Sequence, residues 1–265
     1  MDSWIFIAVV LGLVEGATEF LPVSSTGHLI LAGHLIGFDG ERANTFEIFI
    51  QLGAILAVVE IYWRRFVGLL NFKEETGFHG LRGIGLLALT TLPGFILGFF
   101  LRDVIKQHLF TPVTVAIGLI VGGLWILWAE KFGRPGRQAG LDSLNWKQAF
   151  YIGLFQCLAL WPGMSRASST ILGGMISGLE RKTATVYSFF AAVPMLVVAC
   201  LYDLWKSLPM LTSADVPFFG LGLLVSFVSA WVAVRFFIHF LAHHTLIPFG
   251  WYRVALAVIV FALMR

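Results

Sequence analysis

Apolar residues run almost unbroken along this chain, and short polar stretches cut the run into segments of unequal length. Segments at 45–63, 83–101, 111–129, 183–203, 217–240 and 249–264 predict helices that cross a bilayer, which takes about 20 residues each. Four others, at 4–20, 24–37, 148–161 and 165–178, are shorter. They form two pairs, each interrupted by a turn that contains proline and serine. Each pair reads as a re-entrant hairpin that enters and leaves by one face, because broken helices are tolerated at depth where they line a protein cavity. Pro93-Gly94 falls inside the second long segment and predicts a kink there.

Charge placement orients these segments. Of the 18 Lys and Arg residues, ten fall in the loops 64–82, 130–147 and 179–182. Five others, Arg42, Arg102, Lys106, Lys206 and Arg265, fall on the opposite side, while Arg166, Arg235 and Arg253 lie within or near membrane segments. Positive residues favour cytoplasmic loops, so the three loops are expected inside and both termini outside. One hairpin and three spans per half make an odd number of crossings, which inverts the second half. The expected fold is an all-α polytopic membrane protein with an inverted-topology repeat. It forms a single membrane domain over 1–265, with repeat one at about 1–129, a cytoplasmic loop at 130–147 and repeat two at about 148–265. Such repeats place their site near the midplane, where discontinuous helices meet.

Composition agrees. The chain is 58% hydrophobic and 12% charged, whereas a soluble domain is about one quarter charged. A net charge of +3 does not imply a nucleic-acid partner, since the basic residues form no patch with interleaved aromatics. Cys157 and Cys200 lie in apolar runs without metal-ligand spacing and read as inert thiols. The N-terminus lacks the basic region and small-residue cleavage site of a secretory signal, so it is expected to be retained.

Chemistry concentrates in one stretch. Glu15-Gly16-Ala17-Thr18-Glu19-Phe20-Leu21-Pro22-Val23-Ser24-Ser25-Thr26-Gly27-His28 places two carboxylates, hydroxyls and an imidazole inside an apolar run. Ionisable residues at membrane depth are costly and mark function by default. Glu15 and Glu19 share a helix face, Pro22 ends that helix, and Ser24 or Ser25 can cap the next one. A helix start of this kind cradles anions. A second stretch echoes the first. Gly12-Leu13-Val14-Glu15 lines up with Gly153-Leu154-Phe155-Gln156, and Pro22-Val23-Ser24-Ser25-Thr26 with Pro162-Gly163-Met164-Ser165-Arg166. In that pairing Glu19 falls on Leu160 and Thr26 on Arg166. One copy offers acid and base, and the other a cation.

The run Glu15 to His28, followed at distance by Pro162-Gly163-Met164-Ser165-Arg166, resembles the undecaprenyl-pyrophosphate phosphatases of the BacA (UppP) family. The resemblance spans the chain in length, hydropathy and motif order. It implies hydrolysis of the C55 isoprenoid diphosphate to the monophosphate, which recycles the lipid carrier for cell-wall synthesis. It also implies a divalent cation, Mg2+ or Ca2+, and a bacterial cytoplasmic (inner) membrane enzyme whose active site opens to the periplasmic or outer face. Partners are then the undecaprenyl diphosphate substrate and membrane lipid, with no nucleic acid; a homodimer is left open. The other large class of membrane lipid phosphatases does not fit, because Leu127 and Leu172 stand where its motifs need lysine and histidine.

Within this frame Arg166 and the helix starts are expected to hold the terminal phosphate, since a guanidinium matches phosphate oxygens in a fork. Glu15 and Glu19 are candidates to bind the metal with several waters. Ser25 is the candidate nucleophile and His28 its base; His28 as nucleophile, or water activated by a glutamate, remain alternatives. Ser24, Thr26, Gly27, Gly163, Ser165 and Ser168 are expected to bind substrate, with Gln51 a weaker candidate. Arg166 has a rival role as a structural partner of Glu15 or Glu19. A transporter or lipid flippase is the rival function, since an inverted repeat permits alternating access.

Overall fold

Segmentation by proline and serine turns yields eleven α-helices among the described residues. The structure, a computed structural model, describes residues 3–73, 76–109, 111–133 and 136–263. The helices are α1 (Ser3–Thr18), α2 (Ser25–Ile36), α3 (Glu41–Ile61), α4 (Trp63–Gly68), α5 (Gly80–His108), α6 (Pro112–Phe132), α7 (Trp146–Gln156), α8 (Arg166–Ile176), α9 (Arg181–Ser207), α10 (Val216–Leu241) and α11 (Ile247–Leu263). Among the described residues an isolated bridge between Gln138 and Leu179 is the only β pairing. Five segments are long and apolar enough to cross a membrane: Glu41–Ile61, Gly80–Leu101, Pro112–Phe132, Arg181–Met210 and Ser213–Leu241. The protein is therefore an all-helical, multi-pass membrane protein.

The short helices pack against the long ones along one face. α1 packs along α10 and α2, and α7 packs along α5 and α8. α3 lies against α9 and α10, and α6 against α11. Phe20, Phe189, Phe190 and Phe237 are fully buried where these elements converge. Away from that core, polar loops tie together. Arg65 pairs with Asp142 at 3.0 Å, and the Phe78 N–H donates to the same carboxylate at 2.8 Å.

Three expectations change. The segment 249–264 emerges as α11, 17 residues long, and falls short of the spanning length reached by the other five. The loop expected at 102–110 is mostly helix, because α5 continues to His108. Hydropathy ends a span at the first charges, but Arg, Lys and Gln are good helix formers, so α5 runs on to His108 before Thr111 caps α6. The polar loop at 64–82 likewise contains α4. Arg134 and Arg265, counted in the charge argument, lie outside the described residues.

Candidate active site

The first broken pair is anchored by its own aromatic. α1 closes with the Thr18 hydroxyl on the Val14 carbonyl at 2.6 Å, and the Glu19 N–H still reaches Glu15 O at 2.9 Å. Phe20 then turns inward against Phe189, edge to face at 5.3 Å between centroids. Ser24, at φ 72°, caps α2 by accepting from the Gly27 N–H at 3.4 Å. The second break repeats this geometry. Ser165, at φ 67°, caps α8 by accepting from the Ser168 N–H at 3.2 Å. These two serines are the only non-glycine residues at positive φ among the described residues. Gly163, at φ 92°, completes the second turn; a Cβ there would stand 2.3 Å from Val115 O.

Both helix starts open onto one pocket of about 120 Å³, lined by Glu19, Ser24, Ser25, Thr26, Gln51, Gly163, Ser165 and Arg166 together with Trp161 and Leu196. Glu19 is its centre. Ser25 Oγ donates to Glu19 Oε2 at 2.5 Å, and Arg166 Nη2 donates to Glu19 Oε1 at 2.9 Å. Arg166 also donates from Nη1 to Ser188 O at 3.1 Å and stacks its guanidinium 5.3 Å over the Phe20 ring. A hydroxyl, a carboxylate and a cation thus meet inside a largely water-excluded pocket, which is the equipment for attack on an anionic phosphorus centre.

One turn back, Glu15 is fully buried, and neither of its carboxylate oxygens has a hydrogen-bond partner. Two buried carboxylate oxygens without a donor can be met by a proton or by a cation. Among the described residues no three His, Cys, Asp or Glu side chains converge. Glu15 itself does not line the pocket, so a cation there would draw on Glu19 one turn on and on water for the rest of its shell, the habit of Mg2+. The residues present fit such an ion.

A family model described as "Bacitracin resistance protein BacA" matches residues 8–259 of the chain. The chain belongs to this family. Among its relatives, proteins named undecaprenyl-diphosphatase share 56% identity over 256 residues in Maridesulfovibrio salexigens and 55% over 257 in Nitratidesulfovibrio vulgaris, each covering 97% of both chains. A third, from Desulfovibrio desulfuricans, is 52% identical over 264 residues, covering 100% of this chain and 99% of the relative.

In this BacA-family chain most of the expected residues meet, and some do not. Glu19, Ser24, Ser25, Thr26, Gln51, Gly163, Ser165 and Arg166 share the pocket. His28 does not reach Ser25. Its Nδ1 lies 2.8 Å from the Ser24 carbonyl and must donate to it, which leaves Nε2 to accept from the Tyr252 hydroxyl at 2.6 Å. The three-residue spacing brings His28 to the Ser25 face of a regular helix, but Ser25 is the first residue of α2 and its hydroxyl turns back to Glu19. Gly27 faces Leu119 and gives only its N–H to the cap, and Ser168 likewise supplies its N–H to Ser165 while its buried hydroxyl has no partner. The motif pairing also shifts by one residue: by conformation Ser24 matches Ser165, so Ser25, rather than Thr26, matches Arg166.

Two residues on α11 escaped the sequence reading. Tyr252 stacks on His28, nearly parallel at 5.5 Å between centroids, and nothing in its apolar surroundings marked it. Arg253 is fully buried beside both breaks. Its signal was available: a lone arginine within an apolar helix is costly wherever it has no role.

Proposed function

We propose that this protein is a membrane-integral phosphatase that hydrolyses undecaprenyl diphosphate to undecaprenyl phosphate and inorganic phosphate, returning the lipid carrier to cell-wall synthesis. The observation that carries the reading is the Ser25 hydroxyl donating to Glu19 at 2.5 Å beside Arg166 in one pocket. The diphosphate would enter with its terminal phosphoryl group against Arg166 and the start of α2. Arg166 would exchange Glu19 for phosphate oxygens, which frees the carboxylate as a base. Ser25 Oγ attacks the terminal phosphorus, Glu19 takes its proton, and the bond to the bridging oxygen breaks to release undecaprenyl phosphate. Water then attacks the phosphoserine, and inorganic phosphate leaves. His28, with both ring nitrogens engaged, orients the Ser24 turn in this scheme and the base role passes to Glu19. A divalent cation, Mg2+ or Ca2+, would be held by Glu15 with Glu19 and would supply charge neutralisation for the diphosphate.

We extend the proposal to the architecture and its placement. Residues 1–265 form one domain of two inverted repeats in the bacterial inner membrane, with the pocket opening to the outer face, and with both termini outside because α11, at the short end of the spanning range, makes the sixth crossing. Matching contacts support the repeat: α1 on α10 corresponds to α7 on α5, and α1 with α2 to α7 with α8. The relatives compared carry a hydrolase name and none a transporter name, so the flippase reading is not pursued.

The decisive experiment is phosphate release by the purified protein in detergent from undecaprenyl diphosphate, with and without a chelator. Release that a chelator abolishes and Mg2+ or Ca2+ restores is expected. No release under any cation refutes the phosphatase, and chelator-insensitive release refutes only the metal. Cysteine labelling at positions 66–80 and 136–146 of intact cells should fail from outside; labelling at position 140 would reverse the orientation.

A further inference from the structure

α11 carries no motif residue, yet it holds a buried charge. Arg253 on α11 is fully buried, and a guanidinium at that depth is costly unless its donors are met. Main-chain carbonyls meet them. Nη2 donates to Gly163 O at 2.7 Å, Met164 O at 2.9 Å and Gly118 O at 3.2 Å, while Nε reaches Leu119 O and Nη1 reaches Pro22 O, both at 3.4 Å. Pro22 belongs to the first break, and Gly163 and Met164 to the second. One side chain therefore grips the turns that precede both helix starts. α6 leaves room for it, since a Cβ on Gly122 would come within 2.0 Å of Nη2.

The grip has a direction. In a planar trans peptide the carbonyl and the following N–H point opposite ways. With the Met164 carbonyl turned back onto Arg253, the Ser165 N–H points away from the guanidinium. Ser24 and Ser165 both sit at φ near +70°, a conformation that L residues adopt only where the surroundings over-determine it. Hydrogen bonds from behind, to Pro22 two residues before Ser24 and to Gly163 and Met164 before Ser165, bear on that constraint.

We propose that Arg253 is a positioning residue for phosphoryl transfer: by holding the carbonyls of Pro22, Gly163 and Met164, it keeps the two left-handed serine starts in register, and with them Ser25 and Arg166 on Glu19. This inference rests on the phosphatase reading above. The hydrogen bonds of Arg253 go to main-chain carbonyls and not to pocket side chains, so its loss misaligns the nucleophile without removing a phosphate ligand. Misalignment of a reacting atom falls on kcat.

The test measures initial rates of phosphate release from undecaprenyl diphosphate, alongside thermal melting, on purified full-length protein. Arg253→Lys keeps the charge and loses the fork. Gly122→Ala keeps the arginine and displaces its head. Each is expected to lower kcat at least about tenfold with KM changed by less than about threefold, in protein that still melts cooperatively. Wild-type kcat in both variants, whatever the melting temperature, overturns the proposal and makes Arg253 a strut. Unchanged kcat with raised KM overturns it in favour of docking. Failure of both variants to fold also overturns it, because register would then be inseparable from the fold itself. A wild-type protein that releases no phosphate refutes the phosphatase reading instead, and does so before any variant is made.

Discussion

The two helix breaks share the geometry of their capping serine and part ways at the residue that follows it. Ser24 and Ser165 adopt φ 72° and 67°, and each accepts from the N–H three residues on. The next residue is Ser25 in one and Arg166 in the other, and both donate to Glu19. Upstream the divergence continues. Glu15 has two buried oxygens without a donor, whereas its counterpart Gln156 donates from Nε2 to Thr90 O at 3.2 Å. Capping and turn geometry thus need only the serine and the left-handed residue. The chemistry is free to differ at the first helical position, and a nucleophile and a cation can face one carboxylate because each occupies the same place in its own break.

The largest expected effect removes the nucleophile. Ser25→Ala should lower kcat by at least about 10³-fold in protein that folds and binds lipid diphosphate normally, read by phosphate release and an equilibrium binding assay. A variant that keeps near-normal turnover while Ser24→Ala loses it would move the nucleophile to the cap and end the division of roles.

Next comes the cation. Arg166→Ala should cost on the order of 10³-fold in kcat, and Arg166→Lys about 10²-fold, since lysine keeps charge without the fork. Arg166→Ala also leaves Glu19 buried and unpaired, so a melting-temperature drop equivalent to about 3 kcal/mol should accompany it. Unchanged kcat with raised KM would reduce Arg166 to docking.

A smaller effect tests whether the two backbones are equivalent. Ser24→Ala and Ser165→Ala each lose a cap at a strained position and should destabilise the fold by about 1–2 kcal/mol, to within about 0.5 kcal/mol of one another, by thermal denaturation in detergent. A clear inequality would show that the breaks are alike in shape but not in load.

The smallest effect lies away from both breaks. Partial burial pushes the Asp142 carboxyl upward, but the Phe78 N–H and the Arg65 guanidinium outweigh it and hold the group below the ordinary carboxylate range. A depressed folded value stabilises above the unfolded pKa and is lost as pH falls through the folded one. Asp142→Asn should therefore cost at most about 0.5 kcal/mol near pH 7, since the half-exposed pair is screened by solvent, and the deficit should shrink as pH falls below about 4 and vanish once pH drops past the depressed folded value. Its kcat should match the parent, and a changed kcat would tie the loops to the site.

Much of this was legible in the sequence because bilayer physics is strict. Pro22 had to break a helix, Glu15 and Glu19 had to have a reason for their depth, and Arg166 had to find an anion. The register between breaks was hidden because proline stands two residues before the cap in the first and three before it in the second. Anchoring on Pro22 and Pro162 slid the pairing by one, whereas the Glu15–Gln156 spacing carried the right offset. The partner of His28 was hidden for a different reason: Tyr252 lies on the last helix, and no local pattern announces a contact over that separation.

In the proposed mechanism the Arg166–Glu19 ion pair would also set how fast the site can empty. An anion that takes Arg166 must displace a carboxylate already in place at 2.9 Å. Its net affinity is the difference between two pairings rather than the full strength of one. Inorganic phosphate, once cut from its lipid, faces the same resident competitor at every attempt to stay. A carboxylate that closes behind the departing product turns a strong anion hole into a weakly retentive one, so tight recognition of the phosphoryl group and rapid clearance of phosphate can coexist.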